Sequence, residues 1–573
     1  MKRCMWILVG ILIVGITLQS YAVSALEYQR AMEYLESRNE VYFKLFPESI
    51  TDLMWIAEII SIDNVTNGCE VFAYANTKEF LEFAKHGIDI EVLTPPGLQH
   101  TVRMAKDMEE ARQITSYPTY PQYVQMMEEF ESEYPELCDV EQFGTSVKRR
   151  KMLYARITSD KVEKGKKPKF FYQSTIHGDE TSGWIDMLNL IKLLCSEYGS
   201  DPRITRLVDS VDIFINPLCN PDGTYRSGDN TVNGAQRYNA NGVDLNRDFP
   251  YAPNKGRRYE RGQKETNATV QLGDDFTFVM SADYHSGAEL CCYVWGSVSK
   301  NHPDKTWWEY VGNEYARNAQ RSANNNGYFT DQGDGCLNAY QWYKVDGERI
   351  NYAMYEQECR DMTVEVQHTK LCPESQLQKY WNYQKESLLA YMEQVLNGIR
   401  GVVTDSITGE GLEGVKVFVS GHDKDNSHVF THDYGYYFRP IQEGTHTVEF
   451  TLDGYEPEEY TVHVYNDKAT ILNVKLWDGT THISEKQNIS SVPFSIVPFN
   501  TGVRINFKKN VSDIAHMSIF DVNGKLIRKM SIQGKYGIWN GTGIAGNTVG
   551  NGCYIVKLQH GNRAFSKEFI LAR

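Results

Sequence analysis

The chain has 573 residues, a net charge of −15, and 41% hydrophobic and 23% charged content. That length is too great for one compact core and implies several domains of ordinary soluble composition. The acidic balance argues against nucleic acid as a partner, because such a partner needs a basic face.

Met1-Lys2-Arg3 is a basic start, residues 6–18 are nearly all apolar, and small residues follow at Ala22, Ser24 and Ala25. This is the pattern of a signal peptide over residues 1–25, with cleavage after Ala22 or Ala25. The apolar run is short for a membrane span, and no other stretch is long and apolar enough to cross a bilayer. The mature protein is therefore expected to be exported, with no stable transmembrane span. Cys4 leaves with the signal, so ten of the eleven cysteines remain. Their pairing cannot be deduced from sequence, and no Cys-x-x-Cys pair suggests a thiolate metal site.

Residues 26–115 read as a small α/β domain. Strand-like runs at 41–45 and 70–75 precede a helix-like run at 77–86, and Pro95-Pro96-Gly97 closes the unit. No chemistry is visible in it. Residues 116–398 alternate between a helix at 122–134 with later helix-like runs and strands at 152–157, 169–175, 211–215, 276–283 and 362–366. Such alternation predicts an α/β domain whose largely parallel or mixed sheet is covered by helices. Over 399–477 the period changes to two, with Gly and Asp turns, as in a small β-sandwich. Residues 478–490 are polar and aperiodic, a linker. Residues 491–573 are again all-β, expected as a second sandwich, with strands at 516–520, 552–558 and 565–571.

His177 and Glu180 follow the strand-like Phe170-Phe171-Tyr172-Gln173-Ser174-Thr175-Ile176 and precede a helix whose apolar residues recur at Trp184, Met187, Leu188, Ile191 and Leu194. Ligands bind at the carboxyl ends of strands in open α/β sheets. An imidazole and a carboxylate three residues apart can meet one Zn²⁺. Alone, the pair is equally a surface loop with a helix-start carboxylate. His285 ends Met280-Ser281-Ala282-Asp283-Tyr284-His285 and offers a second imidazole. Two His and one Glu leave a fourth position for water. Glu365 is an acid inside the apolar run Met362-Thr363-Val364-Glu365-Val366; it fits a general base for water, or a salt bridge to a neighbouring Arg. Asn246 and Arg247 stand side by side in Asp244-Leu245-Asn246-Arg247, and Arg237 precedes them. A guanidinium grips a carboxylate through paired hydrogen bonds, and a second one can stabilise an oxyanion. Each of these Arg residues is also readable as a surface charge.

Together, His177-x-x-Glu180, Asn216-Pro217-x-x-Asn220-Pro221-Asp222-Gly223, Arg237, Asp244-Leu245-Asn246-Arg247, Tyr284-His285-Ser286 and Thr363-Val364-Glu365 resemble the zinc metallocarboxypeptidase family. The sandwich at 399–477 resembles the transthyretin-like domain of its regulatory (N/E-type) subfamily. The resemblance implies that His177, Glu180 and His285 bind one Zn²⁺ per catalytic domain. It implies that Arg237 polarises the scissile carbonyl and that Asn246 and Arg247 hold the substrate's terminal carboxylate. Glu365 would be the base that activates a water at the zinc, and Tyr343 the mobile tyrosine, with Tyr352 the weaker match. The implied activity is removal of the C-terminal residue of peptides or proteins.

Members that prefer Lys or Arg carry an acid in the side-chain pocket, usually after the third zinc ligand. Here that segment, Leu290-Cys291-Cys292-Tyr293-Val294-Trp295-Gly296-Ser297, has none. The position seven residues after Tyr343, another specificity position, is Ile350. Glu289, Asp346 and Glu348 lie nearby in sequence, with their directions open. An apolar or broad preference is expected, with Lys/Arg specificity the alternative. Asp179 stands where the family commonly has Asn or Arg. Residues 491–573, with Ser518-Ile519-Phe520-Asp521-Val522-Asn523-Gly524-Lys525 and Trp539-Asn540-Gly541, resemble the sorting domain of the bacterial type IX secretion system. That implies secretion machinery as a partner and a secreted or cell-surface location reached through the periplasm. Residues 26–115 resemble propeptide-like domains that precede such peptidases; inhibition and scaffolding are both open. Two rival functions are a peptidoglycan stem-peptide amide hydrolase on this scaffold and a catalytically inactive surface-binding module.

Overall fold

The computed structural model describes residues 23–479 and 494–571, apart from positions 48, 67–69, 162–164, 251–261, 326, 500–501, 545 and 561–562. Residues 1–22 of the expected signal peptide and most of the expected linker lie outside the described residues. Ala25 opens a helix, Ala25–Arg38, which Ser24 caps. Among the described residues no helix is long and apolar enough to cross a membrane.

The N-terminal domain is an antiparallel sheet of four strands, β1 (Val41–Leu45), β2 (Ser61–Thr66), β3 (Glu70–Ala75) and β4 (Ile90–Leu93), in the order β2-β3-β1-β4. Phe80 and Phe83 of helix Thr77–Phe83 pack with Ala31, Leu35, Phe43 and Val71. The helix is capped by Asn76, whose side chain accepts from the Glu79 amide while Glu79 reaches back. Strands β1 and β3 match the sequence reading. Strand β2 was hidden from it because Asp63 and Asn64 are poor strand formers. Its register against β3 slips between Ile62 and Asn64, so Asp63 is an extra, unpaired residue. A bulge of this kind re-aims a side chain out of the ladder.

The central domain holds an eight-stranded mixed sheet: β5 (Cys138–Thr145), β6 (Lys151–Ile157), β7 (Lys169–Ser174), β8 (Asp212–Asn216), β9 (Met280–His285), β10 (Leu290–Tyr293), β11 (Cys336–Asn338) and β12 (Arg360–Glu365). The order is β11-β10-β12-β9-β7-β8-β6-β5. Strands β12, β9, β7 and β8 run parallel, so their carboxyl ends share one edge. They are buried along nearly their whole length because helices such as Ser182–Ser196 and Glu374–Glu393 cover them. One boundary differs from expectation: Phe276 ends helix Lys264–Phe276, and the strand begins at Met280.

The next segment is the expected small sandwich. One sheet contains Gly398–Asp405 between Tyr436–Arg439 and Ala469–Ile471; the other contains Lys416–Val419 between Val429–Phe430 and Gly444–Thr451, with Glu458–Val464 beyond. It joins the central domain through a buried cluster of charges. Asp304 faces Arg360 at 3.1 Å and Arg439 at 2.9 Å, and Arg439 also meets Asp423 at 2.5 Å. Asp304, His422 and Asp423 could geometrically hold a metal ion, but two guanidiniums already neutralise the carboxylates. The C-terminal segment, described by itself, is a five-stranded antiparallel sheet built on the long strand Gly502–Asp521. Its core is Ile505, Met517, Ile519, Trp539, Val556 and Leu571.

Candidate metal centre

Strand β7 ends at Ser174, and the next residue, Thr175, with φ +62°, turns the chain sharply toward helix Ser182–Ser196. Gly178 in this turn is required by packing: a Cβ there would lie 2.4 Å from the Gly223 backbone. His177 and Glu180 thereby stand at the carboxyl end of β7. His285 closes the neighbouring strand β9, and Glu365 is its register partner on β12. Parallel pairing thus brings residues far apart in the chain to one edge.

His177 Nδ1 lies 3.0 Å from Glu180 Oε1, His285 Nδ1 lies 2.8 Å from Glu180 Oε2, and the two Nδ1 atoms are 3.1 Å apart. All three side chains are buried, and their ligand atoms fall within 4.8 Å of one another. The far nitrogens are also positioned. His177 Nε2 is 3.1 Å from Asp244 Oδ1, and His285 Nε2 is 3.4 Å from Asp283 Oδ2. The Asp244 carboxylate behind His177 favours the tautomer that leaves its Nδ1 free for a cation. Two imidazole nitrogens and a carboxylate, oriented from behind, fit Zn²⁺ as a three-ligand site with an open fourth position.

Asp244 ties this centre to Arg237: its Oδ2 accepts from Arg237 Nε at 2.9 Å while its Oδ1 faces His177. Its carboxyl is held well below the usual carboxylate range by Arg237 and His177, which outweigh burial. Asn246 Nδ2 is 3.4 Å from His285 Nε2, and its Oδ1 accepts from the Arg349 amide. Arg247 is half-buried beside it and donates to the Asn246 carbonyl at 2.9 Å. Glu365 Oε2 is buried and has no hydrogen-bond partner among the described residues. Burial and the Glu180 charge push its carboxyl up to about 8, against His285 and Lys370.

These residues line one cleft of about 520 Å³, counting its open mouth. His177, Glu180, Arg237, Asn246, Arg247, His285, Tyr343 and Glu365 all reach it. Tyr352 does not: it packs against Phe249, ring tilted by 39°, in an adjoining apolar cluster. Ile350 is buried in the main core and also lies off the cleft.

Two residues carried no sequence signal: Asp63, which lines the cleft, and Lys370, which lies behind its Glu180. Lys370 Nζ is 2.6 Å from Glu180 Oε1 and 2.6 Å from Asp63 Oδ1. Asp63 comes from the bulge in β2 of the N-terminal domain and also meets Arg237 Nη1 at 3.1 Å. Its neighbours complete the contact. The Ile62 carbonyl accepts from Arg247 at 3.0 Å, the Asp63 carbonyl from Tyr343 Oη at 3.3 Å, and Asn64 donates to the Gly287 carbonyl at 3.4 Å. Tyr74 donates to Asp179 at 3.0 Å and lays its ring 5.3 Å from the Arg237 guanidinium. Three consecutive residues of the N-terminal domain therefore contact residues that line the cleft, and Asp63 lines it itself.

Family models match the chain in three places. A zinc carboxypeptidase model covers residues 123–387, a carboxypeptidase regulatory-like domain covers 398–476, and a secretion system C-terminal sorting domain covers 497–572. Carboxypeptidase D of Mus musculus is 30% identical over 376 residues, which are 62% of this chain and 26% of that protein. The chain thus spans about a quarter of the length of the carboxypeptidase D relatives it matches. The carboxypeptidase N catalytic chain of Homo sapiens is 30% identical over 404 residues, 64% of this chain and 86% of that one. Carboxypeptidase A from Helicoverpa armigera superposes with a TM-score of 0.47 at 16% identity, covering 62% of this chain and 98% of its own.

Proposed function

Because the chain belongs to the zinc carboxypeptidase family, we propose that it is an exported enzyme that removes the C-terminal residue of peptides or proteins. The observation that carries this reading is the convergence of His177, Glu180 and His285 beside a buried, unpartnered Glu365 oxygen and the Asn246-Arg247 pair. When bound by those three side chains, Zn²⁺ supplies Lewis acidity that lowers the pKa of water from 15.7 to about 7 and polarises a carbonyl.

The protein's own groups do the rest. Arg247 and Asn246 accept a free carboxylate, a group found on the main chain only at its end, and so place the last amide bond over the centre. Glu365 takes the proton from the attacking water as its oxygen bonds to the carbonyl carbon. It then gives that proton to the amine nitrogen as the C–N bond breaks. Arg237, already oriented by Asp244, donates to the carbonyl oxygen as negative charge develops there. Tyr343 closes the mouth of the cleft.

The N-terminal domain acts in this reading as an inhibitory plug, since Asp63 and Ile62 engage Arg237 and Arg247, the groups assigned to the substrate. Export would follow a periplasmic route, with the sorting domain read by the secretion machinery.

The test is amino-acid release by the zinc-loaded chain after limited proteolysis of its N-terminal domain. Peptides with a free C-terminus should lose their last residue, their amidated twins should not, and a chelator should stop the reaction. Equal turnover of amidated peptides would refute the exopeptidase reading. Release from peptidoglycan stem peptides alone would refute the peptide substrate.

A further inference from the structure

Strand β10 carries two adjacent cysteines, and β11 begins with a third. Successive side chains of a strand point to opposite faces. Cys292 lines the cleft, so Cys291 turns the other way. It meets helix Lys305–Ala323, where its sulfur donates to the Gly312 carbonyl at 3.6 Å.

Strands β10 and β11 pair in parallel, and their register sets Cys291 opposite Cys336. Neighbouring strands lie about 4.7–4.9 Å apart. That spacing falls inside the Cα separation of about 4.4–6.8 Å that a disulfide spans. The sulfurs follow the backbone. A Cβ on Gly312 would lie 2.1 Å from Cys336 Sγ and 3.6 Å from Cys291 Sγ, so both sulfurs border the space that one missing side chain leaves. Burial and a hydrogen bond with the Cys336 thiol hold the Cys291 thiol well above its usual range. Among the described cysteines, all free thiols here, only Cys336 and Cys553 are half-exposed, and the rest are buried. A dissolved oxidant thus reaches this pair through Cys336. The buried thiols of Cys219 and Cys359 instead face hydroxyls, those of Thr269 and Ser281.

We propose that Cys291 and Cys336 form a disulfide in an oxidising compartment, and that this bond staples one wall of the cleft. Strand β11 is three residues long and sits at the sheet edge, beside β10. It runs straight into helix Ala339–Trp342, and Ala339, Trp342 and Tyr343 line the cleft. The oxidant is a small-molecule or protein disulfide. The Cys336 thiolate attacks one of its sulfurs and expels a first thiol. The Cys291 thiolate then attacks the Cys336 sulfur of the mixed disulfide and expels a second. The two protein thiols give up two protons and two electrons, and one external disulfide becomes two thiols. Export supplies such an oxidant in the reading above, but the chemistry needs only the folded chain.

The test starts from the full chain, reduced with a phosphine while folded, freed of reductant and equilibrated with oxidised and reduced glutathione. Remaining thiols are alkylated after denaturation, and an unreduced digest is mapped by mass. The expected product is a peptide pair linked through Cys291 and Cys336, about 2 Da lighter than its two reduced members together. Cys292→Ser should leave the link in place, and Cys336→Ser should abolish it. In the unaltered chain, forming the link should slow hydrogen exchange of amides 337–343 by about 10-fold, because local opening of the edge strand is then restrained. Recovery of Cys291 and Cys336 both alkylated would overturn the inference, as would a link through Cys292 in their place. Exchange that the link leaves unchanged would overturn the stapling of the wall.

Discussion

Asp63 and Lys370 are 307 positions apart in the chain and 2.6 Å apart in space. Lys370 also holds Glu180 Oε1, and Arg237 Nη1 meets the same Asp63 oxygen, Oδ1. The Asp63 carboxylate thus sits among cations that would otherwise face a substrate, and it is buried there. Removing it should weaken the plug. Asp63→Ala in the full chain is expected to raise kcat/KM by about 10-fold, a typical loss for one buried charge pair. Limited proteolysis should add less to the variant than to the unaltered chain. An unaltered chain that is already fully active before proteolysis would show that the docked domain does not inhibit.

Glu365 and the ligand set should separate in their effects. Glu365→Gln is expected to lower kcat by about 10²–10⁴-fold with zinc content unchanged, since a general base contributes that much. Glu180→Gln and His285→Ala are expected to lose the metal as well. Metal analysis of each purified variant distinguishes the two classes, and zinc loss in Glu365→Gln would place that residue among the ligands.

In the proposed reaction Arg247 reads the chain end. Arg247→Ala should lower kcat/KM on free-carboxylate peptides by about 100-fold, the order of one lost bidentate charge pair. It should also narrow the gap between those peptides and their amidated twins. A large loss with the gap intact would mean that the carboxylate is recognised elsewhere.

Docking of the N-terminal domain should weaken as pH rises. Glu79 accepts from Tyr238 Oη at 3.0 Å across the domain contact, and burial pushes its carboxyl from 4.5 up to about 7. The docked state therefore keeps a proton that the undocked chain releases, and it binds more protons over that window. Its stability is complete below about pH 4.5 and declines until about pH 7, by on the order of 2 kcal/mol. Protease susceptibility of the domain, measured from pH 4.5 to 8, should rise along this curve, and Glu79→Gln should flatten it. A susceptibility that falls with pH would contradict the sign.

The sandwich after the central domain depends on Asp304. That carboxylate is fully buried between Arg360 and Arg439. Asp304→Ala leaves two buried guanidiniums facing each other and should cost about 3–5 kcal/mol. Thermal unfolding should show a matching fall in Tm, and a change within error would mean the cluster is not needed to hold the domains.

The amino-acid sequence by itself determined the α/β core and the β domains that follow, and it singled out His177, Glu180, His285, Glu365, Asn246 and Arg247 as site candidates. Those features are local: His177 and Glu180 lie in one turn, His285 and Glu365 each end a buried strand, and strand and helix periods are written in neighbouring side chains. Tertiary structure alone decided that Glu348, rather than Glu289 or Asp346, lines the cleft, that Asp244 bridges His177 and Arg237, and that Tyr343 rather than Tyr352 reaches the site. It also decided that a bulged strand of the first domain enters the cleft. A bulge side chain has no periodic signal, and the cations that capture Asp63 lie 174 and 307 residues downstream. Coulomb attraction depends on distance through space, which chain position does not encode.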